Sequence, residues 1–142
     1  MRHRKLRSKL GRSTGPRQAL LSGLVCAFIR ERRISTTQAK ARAAARLAER
    51  MVTLAKRGTL ACRRRALMIL RQESAVKLFF AEIAPQCQDR SGGYTRLIKS
   101  AYRRGDGAAL ALLEWVNLRP LDKKKKPVAK EQAALAAPAG SK

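Results

Sequence analysis

Acidic, histidine and aromatic residues are all scarce in this sequence. The 142 residues include 9 Asp and Glu, one His and 4% aromatic residues. The histidine, His3, lies near the N-terminus, and the acids are scattered along the chain. No glycine-rich loop follows a strand and opens a helix, so the sequence lacks the motif that cradles nucleotide phosphates in many enzymes. We therefore predict that the protein is not an enzyme and uses no cofactor or small-molecule substrate.

Cysteine is also sparse. Cys26, Cys62 and Cys87 are odd in number, far apart and without a C-x-x-C pair. A zinc site would require closely spaced ligands. The sequence therefore predicts no metal site, and it favours buried free thiols in a reducing cytoplasm.

Long apolar runs are missing as well. No window approaches the roughly 18 consecutive apolar residues of a membrane-spanning helix. The first residues, "MRHRKLRSKLGR", lack the apolar segment of a secretory signal. We therefore expect neither a membrane span nor a secretory signal.

Positive charge, in contrast, is abundant. Lys and Arg number 33, which gives a formal net charge of +24. Hydrophobic residues make up 45% of the chain, enough for one modest core. A chain this basic repels itself unless it binds a polyanion, and nucleic acid is the commonest one. An acidic membrane surface is the weaker alternative.

The composition divides the chain into an arm, a domain and a tail. Residues 1–13 contain six Lys and Arg and no acid, and we predict an RNA-binding arm that does not fold alone. Residues 14–118 form the predicted globular domain. Residues 119–142 contain a lysine run and then Ala, Pro and Gly, which predicts a flexible, disordered tail.

Hydrophobic periodicity predicts four helices and three strands. The first helix begins near "TGPRQ" with Gly15 as its N-cap, and a short strand at "RRIST" follows. The second helix runs from an N-cap at Thr37 to Gly58. The third has Leu60, Ala66, Leu67 and Leu70 as its apolar positions. The fourth covers "ESAVKLFFAEIAPQ", with Val76, Phe79, Phe80 and Ile83 facing inward and Pro85 at or just past its end.

The pattern then changes to strands. Two strand-like runs, at about residues 94–103 and 109–117, flank Asp106-Gly107, a strong hairpin signal. The predicted fold is an α+β, two-layer domain of α-β-α-α-α-β-β order, with a small sheet and helices on one face.

Two motifs in the domain are candidates for binding phosphate. Arg63 and Arg64 avoid the apolar stripe of the third helix, so they either contact phosphate or form a solvated face. "RSGGYTR" at residues 90–96 is either a loop whose glycines allow a turn, or a site where backbone approaches RNA. In the second case, Arg90 and Arg96 would contact phosphates, and Tyr94 would be free to stack or donate its hydroxyl. Spacing does not separate the two readings.

Several motifs in register resemble the bacterial-type large-subunit ribosomal protein L-seventeen family. They are "MRHRK", "ERRISTT", "TLAK", "RR" at 63–64, "KLF" at 77–79, "RSGGYTR" and "RRGD", and they extend from residue 1 to about 117. After the paired threonines the family often has Leu-Pro, and this chain has Gln38-Ala39. The tail lies outside the resemblance.

The resemblance implies a structural, non-catalytic constituent of the large ribosomal subunit in the bacterial cytoplasm. It implies binding to large-subunit ribosomal RNA near the exit of the peptide tunnel, beside other ribosomal proteins. The family's RNA contacts correspond to Arg2, His3, Arg4, Lys5, Lys40 and residues 90–96. With the cations added from charge alone, the candidate RNA-binding residues are Arg2, His3, Arg4, Lys5, Arg7, Arg12, Arg17, Lys40, Arg63, Arg64, Arg90, Ser91, Gly92, Gly93, Tyr94, Thr95, Arg96 and Lys99.

Two other classes of protein share the charge. A DNA-compacting or regulatory protein should show a dimer seam or a recognition helix, and the sequence suggests neither. An RNA-modifying enzyme should show a catalytic site, and the sequence offers none.

Overall fold

A computed structural model describes residues 8–116 and 118 of the chain. The predicted tail and the first seven residues of the predicted arm lie outside this part. The elements in chain order are α1 (Thr14–Glu31), β1 (Arg33–Thr37), α2 (Gln38–Arg57), α3 (Leu60–Leu70), α4 (Glu73–Leu78), a π-helical turn (Phe79–Ile83), α5 (Ala84–Gln86), β2 (Thr95–Tyr102) and β3 (Ala109–Trp115). The predicted α+β class is confirmed, as is the predicted order when α4, the π-helical turn and α5 are taken as the fourth helix.

The three strands form one antiparallel sheet in the order β1-β3-β2. Ala111, Leu113 and Trp115 of β3 are buried, and the alternate residues are only partly covered. Successive side chains of a strand point to opposite faces, so this alternation identifies one face as the core side. Helix α2 packs against all three strands, which gives the predicted two layers.

An aromatic cluster joins the sheet to the helices. The Trp115 ring stacks on Phe28 of α1, with centroids 4.3 Å apart and planes 7° from parallel. Its indole N–H donates to the Phe28 carbonyl oxygen at 3.3 Å, and the Phe79 ring centroid lies 6.1 Å away. All three side chains are buried, so this cluster is the centre of the core.

Helix α2 contacts the rest of the domain through small side chains. Ala41, Ala44, Ala48 and Met51 are almost completely buried. Alanine lets a helix backbone approach its neighbours closely, so the alanine-rich sequence brings α2 against the sheet. This close packing positions the opposite, arginine-bearing side of α2 at the surface.

Two predictions about helix positions are wrong. Helix α1 begins at Thr14 with Ser13 as its N-cap, because the Ser13 carbonyl already accepts the Arg17 N–H; Gly15 lies inside the first turn. In α3 the buried positions are Cys62, Ala66 and Leu70, whereas Leu60 and Leu67 are 65% and 41% exposed. The inward stripe of α3 follows Cys62, Ala66 and Leu70 at i, i+4 spacing and leaves these two leucines outside.

The fourth helix is less regular than predicted. Phe79, Val76 and Ile83 are buried as expected, but Phe80 is only partly buried. The Ala84 N–H donates to the Phe79 carbonyl, five residues back, which widens the turn. Pro85 lies within the last turn, where it has no N–H to donate. The wider turn immediately precedes the proline, and Phe80 lies within it.

The predicted hairpin is confirmed. The Arg103 Nε–H donates to Asp106 Oδ1 at 2.8 Å, and Gly107 adopts φ +63° in the turn. The bond to Arg103 holds the pKa of Asp106 well below its usual value, and a bond from the Ala108 N–H adds to this. Asp106 is thus an internal partner of the turn.

The cysteines are free and buried, as predicted. Burial raises the pKa of the Cys26 and Cys87 thiols above the ordinary value. Over residues 8–116 and 118, no helix is long and apolar enough to cross a membrane, and no group of three or more His, Cys, Asp or Glu is placed to hold a metal.

Candidate nucleic-acid interface

The segment from Arg90 to Tyr94 is a tight loop that leads into β2. The Tyr94 hydroxyl donates to the Arg90 carbonyl oxygen at 3.1 Å, and the Val116 N–H donates to the Tyr94 carbonyl. Gly93 has φ +63°, whereas Gly92 does not have a positive φ. The turn therefore favours glycine at position 93, and this supports the structural interpretation of the motif at that residue.

The sequence suggested two roles for Tyr94, stacking on a base or donating its hydroxyl, and the structure contradicts the first. Its side chain is 6% exposed, and the Lys56 ammonium nitrogen lies 4.8 Å from the ring centroid. The prediction that the ring is free to stack on a base is therefore wrong. Tyr94 closes the loop, because it occupies the core side and binds the carbonyl at the loop's start.

Helix α2 holds the loop from the other side. The Lys56 ammonium donates to the carbonyl oxygens of Gln88, at 3.2 Å, and of Arg90. The Thr95 hydroxyl donates to Glu49 Oε1 at 3.1 Å. These bonds fix the position of the loop against the C-terminal half of α2.

A surface cleft of about 340 Å³ lies between α2 and this loop. Arg46 and Arg50, one turn apart on α2, line one wall, and Ser91, Gly92 and Gly93 line the other. Both arginines and all three loop residues are exposed. A Cβ built on Gly92 or Gly93 meets no atom within 4 Å, so the loop backbone is open to a ligand. Guanidinium groups facing an open backbone loop suit a phosphate-bearing ligand.

Arg46 and Arg50 were not among the sequence candidates. The sequence placed them off the apolar face of α2 but gave no reason to group them with "RSGGYTR", which lies about 40 residues downstream. Their i, i+4 spacing on an acid-poor face was the available signal. The packing of α2 on the loop is what makes them one site.

The candidates on β2 lie beyond this cleft. Arg96 is directly opposite Glu114 in the sheet, and its Nη1 lies 3.8 Å from Glu114 Oε1. The Arg96 side chain remains 60% exposed, so the ion pair leaves it accessible. Lys99 is exposed farther along the strand, beside a smaller cleft with Gln38 and Tyr102. Lys40, in the first turn of α2, is partly buried.

Arg63 and Arg64 lie at a different surface. They border an apolar groove of about 380 Å³ between α3 and α4, together with Leu60, Leu67 and Phe80. The Arg63 guanidinium carbon is 5.2 Å from the Phe80 ring centroid. The structure therefore does not bring these two arginines into the cleft at residues 91–93.

The N-terminal candidates are only partly described. Arg12 is exposed, and its guanidinium donates to the Leu10 carbonyl at 2.8 Å. Arg17 lies in the first turn of α1 and is partly buried. Arg2, His3, Arg4, Lys5 and Arg7 lie outside the described residues.

Four of the acids in the described part pair with cations of the chain itself. Glu73, Glu82, Asp106 and Glu114 each form an ion pair with one Lys or Arg. The Lys77 partner holds the pKa of Glu73 below its usual value. With only 9 Asp and Glu against 33 Lys and Arg, this pairing still leaves a large positive excess. The chain therefore carries a strong positive charge that favours binding to a polyanion.

Comparison with known proteins identifies the family. The family model described as ribosomal protein L17 matches residues 20–116. "Large ribosomal subunit protein bL17" of Natranaerobius thermophilus is 52% identical over 108 residues, covering 76% of this chain and 96% of the relative. The protein of the same name from Methylacidiphilum infernorum is 48% identical, covering 81% of this chain and 88% of the relative. The one from Syntrophus aciditrophicus is 44% identical, covering 82% of this chain and 93% of the relative. This chain belongs to the ribosomal protein L17 family.

Proposed function

We propose that this protein binds large-subunit ribosomal RNA through a basic face formed by α2, the loop of residues 90–94 and β2. The observation that carries the proposal is the convergence of Arg46 and Arg50 on the open backbone of Ser91–Gly93. The rest of the support is general: a formal net charge of +24 and the pairing of four acids within the chain. Arginine side chains and backbone N–H groups are common phosphate ligands in nucleic-acid complexes.

Family membership gives the broader role. The protein is a structural constituent of the large ribosomal subunit and works in the cytoplasm with the bacterial ribosome. The family is structural rather than catalytic, and the proposed role requires no cofactor. Within the subunit, we propose a position near the exit of the peptide tunnel with neighbouring ribosomal proteins as further partners, as the resemblance implies.

We propose RNA contacts for the other candidate residues as well. Arg96 and Lys99 extend the basic face along β2, and Lys40 lies at the start of the same helix as Arg46. Arg63 and Arg64 would form a second contact from α3. The arm of residues 1–13 is proposed as an additional RNA-binding element, and its binding residues through Arg7 lie outside the described part of the chain.

Sedimentation tests the proposed function. Tagged protein is produced in bacterial cells, and the lysate is separated on a gradient in moderate salt. We expect the protein to travel with the large subunit and with isolated large-subunit RNA. Protein that stays at the top of the gradient, or that associates with chromosomal DNA instead, would contradict the proposal.

A further inference from the structure

Glu49 is the one acid among the described residues that line the cleft. It lies on α2 between Arg46 and Arg50 and lines the same cleft as Ser91–Gly93. A carboxylate placed beside a phosphate is repulsive, so its position here is unfavourable if the cleft binds phosphate alone. The residue therefore either has only a structural role or contacts a part of the ligand that donates a hydrogen bond.

The Glu49 carboxylate is held in place but can still accept further hydrogen bonds. Thr95 donates one hydrogen bond to Oε1 at 3.1 Å. Among the described residues, no Lys or Arg forms an ion pair with Glu49. An ionised carboxylate has about four lone-pair sites, so the bond from Thr95 leaves acceptor sites on a side chain that is only partly buried.

A nucleotide unit of RNA carries both kinds of group that such a cleft can bind. Its phosphate suits Arg46 and Arg50, and its ribose has a 2′-hydroxyl that can donate to a carboxylate. The cleft volume of about 340 Å³ is within the range of sites that hold small molecules. DNA presents the same phosphate but lacks this donor.

We propose that the cleft holds one ribose–phosphate unit, in which Arg46 and Arg50 bind the phosphate and Glu49 accepts a hydrogen bond from the 2′-hydroxyl. Glu49 then makes the site selective for RNA over DNA. Thr95 is a positioning residue for this carboxylate. The inference rests on the proposed function, since it assigns ligand groups within the same basic face.

The two roles of Glu49 predict different results when its charge is removed. If Glu49 is only structural, Glu49→Gln removes a repulsive charge and raises the affinity for every polyanion by the same factor. If Glu49 accepts the 2′-hydroxyl, the substitution lowers the affinity for RNA relative to a ligand without that donor. The glutamine oxygen still accepts the Thr95 hydroxyl, so the fold is preserved.

The test compares two short single-stranded oligouridylates that differ only in the sugar. One has the natural 2′-hydroxyl, and the other has a 2′-fluoro group, which has no proton to donate. Binding of each to the full chain is measured by fluorescence anisotropy at one salt concentration. We expect the wild-type protein to prefer the hydroxyl form by roughly two- to tenfold, the range of one net hydrogen bond. Glu49→Gln should lower this ratio toward one, because an N–H₂ group replaces one carboxylate oxygen and the remaining neutral oxygen is a weaker acceptor.

Glu82→Gln is the matched control, because Glu82 is an exposed acid of the π-helical turn that lines neither the cleft nor the groove at Arg63 and Arg64. It should leave the ratio of the two affinities at the wild-type value. A wild-type protein without preference, or a preference that is undiminished in Glu49→Gln, would overturn the ribose contact. If either result is obtained and the wild-type protein still sediments with the large subunit, the ribose contact is wrong and the proposed function stands. If the wild-type protein binds no RNA, the ribose contact and the proposed function are both wrong.

Discussion

The Lys56 ammonium lies over the ring of Tyr94, 4.8 Å from its centroid, and this contact ties helix α2 to the loop that enters β2. The same ammonium donates to the carbonyl oxygens of Gln88 and Arg90. A single side chain thus satisfies two loop carbonyls and covers the residue that closes the loop. The geometry of the cleft at Arg46 and Arg50 depends on this attachment.

Replacement of Lys56 by methionine should therefore loosen the loop. The substitution keeps most of the apolar stem but removes the cation–π contact and both hydrogen bonds. We expect the free energy of unfolding to fall by about 1–2 kcal/mol, measured by urea denaturation. Lys77→Met is the control, because Lys77 is an exposed residue paired with Glu73, and it should change stability by less than about 0.5 kcal/mol. Equal losses in the two variants would show that Lys56 does not anchor the loop.

The two glycines of the loop should respond differently to alanine. Gly93 has φ +63° with open space around it, so Gly93→Ala should lower the free energy of unfolding by about 1–2 kcal/mol through the backbone alone. Gly92 has no positive φ and equally open space, so Gly92→Ala should be nearly neutral for stability. Thermal denaturation of both variants provides the comparison. A destabilised Gly92→Ala variant with a stable Gly93→Ala variant would contradict the observed turn.

A stabilising change is expected at the end of α3. Arg71 follows this helix in the left-handed conformation, with φ 58°, a conformation that favours glycine. Arg71→Gly keeps the bond from its N–H to the Leu67 carbonyl and should raise the free energy of unfolding by up to about 1 kcal/mol. Gly58, at the end of α2 with φ 65°, is the reciprocal control. Gly58→Ala should destabilise, and a loss of stability in Arg71→Gly would show that its side chain has a role we have not assigned.

Burial of the thiols predicts a pH dependence. The folded protein raises the pKa of Cys26 and Cys87, so it favours the neutral thiol. Unfolded cysteine ionises near pH 8.5, and the contribution of these thiols to stability should be complete below that pH and decline above it. In the double variant with Cys26→Ala and Cys87→Ala, the free energy of unfolding should decline less steeply as pH rises above this value. Iodoacetamide should label both thiols slowly in the folded protein and rapidly in urea; rapid labelling of the native state would contradict their burial.

Local signals predicted much of this fold. Asp106-Gly107 specified the hairpin because turn chemistry acts over adjacent residues, and Gly58 marked the end of α2 for the same reason. The pairing of β1 with β3 brings Ile34 opposite Leu113, and no local signal encodes a contact between residues so far apart. The face of α3 was predicted incorrectly because Cys62 and Ala66, which are small, carry the buried stripe while the larger Leu60 is exposed.

The candidate site also has one part that the sequence predicted and another that only the tertiary structure shows. The glycines and cations of "RSGGYTR" were visible in the sequence, and the resemblance gave them a role. The burial of Tyr94 and the approach of Arg46 and Arg50 depend on the packing of α2 against the loop. That packing is a tertiary contact, so the sequence showed the glycines and cations but did not show that the arginines of α2 lie beside the loop.

The salt dependence of RNA binding tests the central claim most directly. The affinity of the full chain for large-subunit ribosomal RNA is measured over a range of salt concentrations. Three proteins are compared: the wild type, a double variant with Arg46→Ala and Arg50→Ala, and the single variant Arg104→Ala. Arg104 is an exposed arginine in the β2–β3 turn, at the opposite end of β2 from the cleft, and it controls for the loss of one positive charge outside the cleft.

If some six to ten phosphates are neutralised, wild-type affinity should fall by about 10³- to 10⁵-fold between roughly 50 and 200 mM salt, by analogy with duplex DNA. The double variant should bind more weakly, with a slope reduced by about two phosphate contacts, while Arg104→Ala should stay close to wild type. A nearly flat salt dependence, or equal effects of the cleft and turn substitutions, would contradict the assignment of this face as the RNA-binding surface.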